Sequence, residues 1–343
     1  MRLFAALLLL LVTACSRPLP EGVTELTYGT PYSPSHPFSR ADIRWMEYVE
    51  EKSGGTLRIR PIWSGALLSS DMSLEEIRHG VADIGLITPI YVRGGTHLIR
   101  VQWGFYSGVE SVEAQVALYQ CLARHSPQIQ RELEGVKVLA AQGGLLPGIV
   151  TRTRQVKTLD DIKGLRLRAP TELMRVLENL GADPINMPMG EVYSAMAKGV
   201  IDGVVAPVDT FRALHFGEVA SYFNSISIPR GAYPARAIGA ERWNSLSAEH
   251  RRILEESIAV WEAALAEEVR AAAEQGLNTA RKENVVMTRI PAADQVRFDR
   301  LYLRDAEENA VALERLGIDG RSVFSLARRS VVGPDQVECG DPA

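Results

Sequence analysis

A chain of 343 residues with 38 Lys+Arg against 42 Asp+Glu carries a formal net charge of −4, a slight acidic balance that gives no reason to expect nucleic acid or a basic membrane-binding face. The length suits two domains of ordinary size, each able to bury its own core. Three cysteines and six scattered histidines show no zinc-ligand spacing, so neither a metal nor a cofactor is expected.

The chain starts with a positive Met1-Arg2-Leu3 and an apolar run, Phe4 to Val12, too short to span a bilayer well. Small residues Thr13 and Ala14 precede Cys15, and Leu11 to Cys15 resembles a bacterial lipobox. The expectation is a signal peptide over 1–14, lipidation of the Cys15 thiol and a membrane tether through that lipid. No later stretch is apolar and long enough for a transmembrane helix. A strand over Thr24–Gly29 leads into a Pro- and Ser-rich loop that contains Tyr32. Ser39 reads as the N-cap of a helix closed by Gly54-Gly55. Leu57–Ile62 is a strand, Asp71–Arg78 a helix ended by Gly80, and Asp83–Ile87 an apolar strand. This β-α-β-α order argues for mostly parallel sheets with helices on both faces. Cys121, in a helical, partly apolar stretch, reads as a small buried thiol and Cys339 as part of a polar tail; an oxidising compartment permits a bond between them, but the spacing does not show one.

A second set of elements starts at Val136–Ala140 and continues over 158–206. In Leu165-Arg166-Leu167-Arg168-Ala169 the leucines share one strand face and the arginines the other. Pro170 closes the strand and Thr171 opens a helix, so Arg168 stands at a carboxyl strand end just before a helix N-terminus. Open α/β sheets bind ligands at such ends, and a guanidinium there holds a carboxylate with two parallel hydrogen bonds. The competing reading is a surface arginine at a sheet edge. Asp209, after Pro207, either reaches that site or caps a helix. Ser247 to about Lys282 has an apolar stripe through Leu254, Ile258, Trp261, Leu265 and Val269, a helix long enough to lean across two domains. The alternative is two helices broken near Gly276. A strand over Val285–Ile290 and a helix over Ala292–Leu316 follow. No nucleophile elbow, phosphate loop or metal-ligand helix is present, so the chain does not read as an enzyme.

Several stretches in order resemble one family. They are Gly54-Gly55-Thr56-Leu57-Arg58-Ile59, Glu76-Ile77-Arg78-His79-Gly80-Val81-Ala82-Asp83-Ile84, and Gly164-Leu165-Arg166-Leu167-Arg168-Ala169-Pro170. Gly190-Glu191-Val192-Tyr193-Ser194-Ala195-Met196, Gly199-Val200-Ile201-Asp202-Gly203 and Trp243-Asn244-Ser245-Leu246-Ser247 continue the series. The chain resembles the solute-binding proteins of tripartite ATP-independent periplasmic (TRAP) transporters, of the dicarboxylate-binding type. The resemblance implies an α/β, two-lobed, Venus-flytrap fold with a long helix spanning both lobes. Lobe I is expected over 22–145 plus 234–273, lobe II over 146–233 plus 274–327, and a C-terminal tail over 328–343. It implies a small organic acid in the cleft with its carboxylate on Arg168, and delivery to integral-membrane permease subunits from an extracytoplasmic, lipid-anchored position. A ligand sensor that signals to a membrane partner is the other function compatible with this fold.

The departures from the family bear on the ligand. A second family arginine falls at Gly148, a family glutamate at Thr88, a basic residue at Tyr91, and an often aromatic position at Met189. The polar run that many relatives carry after Asp202-Gly203 is Val204-Val205-Ala206. The expected binding set is Arg168, Tyr32, Thr88, Tyr91, Gly148, Met189, Val205, Ala206 and Asp209. Such a cleft leaves a sugar's hydroxyls unpaired, which favours a monocarboxylate with a moderately apolar body. The opposing possibility is that Arg152, Arg154, Arg230 or Arg236 supplies a second anion contact.

Overall fold

The computed structural model describes residues 20–92 and 94–340; the signal-peptide and Cys15 expectations lie outside them. The strands of its two main sheets are, in chain order, β1 (Thr24–Gly29), β2 (Leu57–Ile62), β3 (Ile84–Leu86), β4 (Val136–Gln142), β5 (Gly148–Thr151), β6 (Arg166–Arg168), β7 (Asp183–Ile185), β8 (Gly203–Ala206), β9 (Tyr222–Asn224), β10 (Tyr233–Gly239) and β11 (Val286–Thr288). Lobe I holds the order β2-β1-β3-β10-β4 and lobe II the order β11-β9-β5-β8-β6-β7. The β-α-β units pair in parallel, as expected. Each sheet also takes in one strand that arrives from the other lobe and runs antiparallel to both neighbours. These are β10 between β3 and β4, and β5 between β8 and β9. The chain therefore crosses the cleft between Gln142 and Gly148 and returns between Asn224 and Tyr233.

The first helix begins earlier than expected. It runs Pro37–Lys52, because Pro37 enters the first turn with its φ already helical, and His36 is the N-cap in place of Ser39. The longest helix is continuous over Ala248–Lys282, with the Ser247 hydroxyl accepting from His250 N–H. Gly276 does not break it. A Cβ there would lie 2.3 Å from the Val208 carbonyl oxygen and 2.6 Å from Asp209 Cα, so the glycine lets lobe II backbone press against the helix. The helix buries Leu254, Trp261 and Leu265 in the lobe I core and Ala280 in the lobe II core.

The C-terminal region departs from expectation. The helix Ala292–Ala312 starts with Phe298 and Tyr302 in a lobe II cluster and ends with Ala306 and Ala310 in a lobe I cluster. Residues 306–327, expected with lobe II, pack with lobe I because Phe324, on the helix Gly320–Ser330, stands edge-to-face on Phe105 at 5.2 Å. The tail is tied down too. β12 (Val331–Gly333) and β13 (Gln336–Val337) form a hairpin, and Cys339 is bonded to Cys121, with Cα atoms 5.5 Å apart. Cys121 is thus a disulfide partner, not a free buried thiol. Cys339→Ser is expected to lower the unfolding free energy by about 2–4 kcal/mol in urea denaturation. Equal stability with and without reductant would refute the bond.

Candidate functional site

β6 ends on Arg168, whose alternation with the buried Leu167 turns it away from the hydrophobic side of the sheet. Its guanidinium is 2% exposed and forms no ion pair among the described residues. Nε donates to the Met187 carbonyl at 2.9 Å, and Nη2 donates to the Tyr91 hydroxyl, from the opposite lobe, at 2.6 Å. Arg168 forms part of the wall of a cavity between the lobes, of about 80 Å³. Tyr32, Thr88, Tyr91, Met189, Val205 and Asp209 line the same space. Gly148 and Ala206 do not. They are register partners on β5 and β8. Ala206 belongs to the cluster on the opposite face of the sheet from Val205, and a Cβ on Gly148 would meet Asn224 and the Phe223 ring.

Thr88 is committed inward: its hydroxyl donates to the Ser70 carbonyl, and its N–H reaches Ser73 Oγ at 3.0 Å. Asp209 caps nothing with its side chain. It is 6% exposed, and its Oδ1 has no hydrogen-bond partner among the described residues. Burial pushes this carboxyl up to about 6, against the pull of Arg230.

The sequence reading misses several cavity residues. Glu172, half-buried, lies in the turn Thr171–Leu173 after Arg168; burial pushes its carboxyl up to about 8, against its own backbone N–H and the two arginines Arg168 and Arg230. Arg230 sits over the Trp103 ring at 6.0 Å, with its guanidinium against Gly144, where an added Cβ would lie 2.6 Å from it. Of the four arginines weighed for a second anion contact, Arg230 alone lines the cavity. Arg236 is spent on Asp42, and Arg154 on the Lys163 carbonyl. Arg152 lies against Gly199 at the far edge of lobe II. His36 stacks on Tyr32 at 4.0 Å between centroids. Its Nδ1 accepts from Phe38 N–H, which leaves the proton on Nε2, and burial with Arg40 and Arg236 pushes it down to about 3, so the ring stays neutral. Phe38, Ile90, Trp103, Leu173, Leu214 and four prolines supply most of the remaining wall. The site holds two guanidinium groups and two carboxyls whose pKa values burial raises, in an otherwise apolar enclosure. It offers hydrogen-bond donors to an anion.

A profile of the bacterial extracellular solute-binding proteins, family 7, matches residues 28–308. A monocarboxylate 2-oxoacid-binding periplasmic protein of Nostoc sp. is 24% identical over 212 residues, 60% of this chain and 57% of that relative, little more than half its length. A TRAP solute-binding protein of Rhodoferax ferrireducens, solved with copurified benzoate, superposes with a TM-score of 0.83 at 23% identity, covering 90% of this chain and 97% of that one. A sugar-acid-binding protein of Advenella mimigardefordensis, solved with galactonate, gives 0.75 at 17% identity over 90% and 98% of the two chains.

Proposed function

Since the chain belongs to the family 7 bacterial extracellular solute-binding proteins, we propose that it captures a small organic acid between its lobes and delivers it to TRAP-type permease subunits. The observation that carries this reading is Arg168: a buried guanidinium with no carboxylate of its own, at a strand end facing the opposite lobe. The apolar wall favours a ligand with one carboxylate and a moderately apolar body. The relatives that bind benzoate and 2-oxoacids support the class. Arg230 favours a second reading, a short dicarboxylate spanning both guanidinium groups, because its buried Nε also lacks a partner among the described residues. Lipidation of Cys15 would keep the receptor at the membrane, and capture followed by lobe closure is its whole task.

The test is a thermal-shift screen of mature protein against benzoate, 3-methyl-2-oxobutanoate, succinate and galactonate. A binder at a hundred times its Kd stabilises the folded state by about 2.7 kcal/mol. A shift with the first two alone supports the monocarboxylate, and a shift with succinate alone the dicarboxylate. A shift with galactonate alone overturns the apolar-body reading.

Affinity should depend on pH through the raised carboxyls. Below their pKa values Asp209 and Glu172 are neutral and leave the arginines uncancelled; as pH climbs through about 6 and then about 8 they ionise and repel an anion. If bound ligand raises the Glu172 pKa by one unit, affinity falls about fivefold by about pH 9 and approaches a roughly tenfold loss above it. Titration calorimetry between pH 6 and 9 should show this, and Glu172→Gln should flatten the upper part. The free protein's stability follows the same sign. Both carboxyls bind protons more tightly when folded, so stability falls as pH rises from the unfolded values of 3.8 and 4.5 toward about 6 and 8.

A further inference from the structure

Gln142 ends β4 fully buried, outside the cavity, and is the register partner of Tyr233, which heads β10 and lines the cavity. Its amide is held from both sides. Arg236 Nη1 donates to Gln142 Oε1 at 3.1 Å, and Gln142 Nε2 donates to the Tyr233 hydroxyl at 2.8 Å. The direction is forced: a guanidinium only donates, so the amide oxygen must face Arg236 and the amide NH2 must face the phenol. Arg236 in turn cannot swing. Its Nε and Nη2 grip Asp42 at 2.8 and 3.1 Å, and Asp42 also accepts from Trp261 Nε1 at 2.8 Å and the Tyr28 hydroxyl at 2.6 Å. The Tyr233 oxygen therefore accepts from Gln142, and its own hydrogen finds no acceptor among the described residues.

Resting on the carboxylate reading of the cavity, we infer that Gln142 is a positioning residue: by fixing the Tyr233 oxygen as an acceptor, it aims the Tyr233 hydroxyl hydrogen at an acceptor oxygen of the bound acid. Tyr91, packed against the same lobe I cluster as Tyr233, is set the same way, since it accepts from Arg168 Nη2. The cavity thus presents two tyrosine hydroxyl hydrogens from its lobe I wall and selects ligand oxygens that accept, carboxylate or carbonyl.

Gln142→Glu tests this with almost no change of shape. A carboxylate accepts from Arg236 and from the Tyr233 O–H together, which turns the phenol hydrogen away from the cavity. The probes are 3-methyl-2-oxobutanoate, 2-hydroxy-3-methylbutanoate and 3-methylbutanoate, which share a skeleton and differ at one carbon. Both Gln142→Glu and Tyr233→Phe should weaken binding by about 10- to 100-fold, the range for a hydrogen bond to a charged or strongly accepting oxygen. Gln142→Glu on the Tyr233→Phe background should cost nothing more. A loss confined to the 2-oxo acid places the hydroxyl on the carbonyl, and a loss shared by all three places it on the carboxylate; additive losses in the double variant overturn the inference. Gln142→Met, which frees the phenol without reversing it, should lose less than Gln142→Glu and serves if the glutamate variant does not fold. A ligand-free measurement accompanies these. In protein labelled with 13Cζ-tyrosine, the Tyr233 resonance, identified by its loss in Tyr233→Phe, should move in Gln142→Glu. An unmoved resonance overturns the inference even if no probe binds, whereas absence of binding by the unaltered protein refutes only the carboxylate reading.

Discussion

Arg168→Ala is expected to abolish carboxylate binding, with a loss of about 2–5 kcal/mol, the range for deleting one member of a buried, hydrogen-bonded charge pair. The argument rests on what surrounds the guanidinium: Met187 and Tyr91 take Nε and Nη2, and no described carboxylate neutralises it. Its charge is held in place before any ligand arrives, and the ligand's carboxylate is the missing partner. The same reasoning fixes an opposite sign for the free protein. An uncompensated buried cation costs folding energy, so Arg168→Met should leave the unliganded midpoint unchanged or raise it while binding is lost. Arg168→Lys should rescue little, because a point ammonium cannot bond the Met187 carbonyl, Tyr91 and a bidentate carboxylate at once. A parallel fall in free-protein stability and affinity would mark Arg168 as a structural residue and refute this account.

Asp42→Ala is expected to destabilise the free protein by about 3–5 kcal/mol, the cost of stranding one member of a buried ion pair. Asp42 and Arg236 are 0% and 1% exposed. All four contacts of the carboxylate, from Arg236 twice, Trp261 and Tyr28, are charge-assisted or short hydrogen bonds. Removing it leaves a guanidinium in the lobe I core with only Gln142 to accept from it. The double change Asp42→Ala with Arg236→Met should recover part of the loss, since no charge is then left unpaired. Chemical denaturation reads both; a loss under 1 kcal/mol for the single change would contradict the burial of the pair.

The α/β element order and the place of Arg168 were legible because each rests on a local pattern: strand periodicity, glycine stops, and an arginine between a short strand and Pro170; the two-lobed arrangement followed from the family resemblance. The long helix was legible for the same reason, and Gly276 was ambiguous because its purpose, the approach of Val208 and Asp209, is tertiary. Gly148 and Ala206 were misplaced by position matching alone; the pleat decides which face a strand residue takes, and both share a face turned from the cavity. Arg230 was one of four arginines the sequence left open, and only the return crossing brings it to the cavity, whereas Tyr233, at the head of the strand that follows, was missed. Gln142 carried no signal, because its role comes from register with Tyr233 and from the orientation Arg236 forces on it. The Cys121–Cys339 bond was hidden because it joins residues 218 apart in sequence.

That bond has a topological consequence. It closes a covalent ring through residues 121 to 339, and the ring contains every strand of the lobe II sheet, both strand crossings of the cleft and the two helices that pass between the lobes. A protease that cuts any single peptide bond within the ring opens it without dividing the molecule; both fragments stay joined through the sulfurs and separate only on reduction. The strands β1 to β3 lie outside the ring, so a cut among them leaves the upstream piece held by packing alone. Mechanical and proteolytic robustness is therefore unequal across the receptor: it is greatest in the half that carries Arg168 and least at the amino-terminal edge.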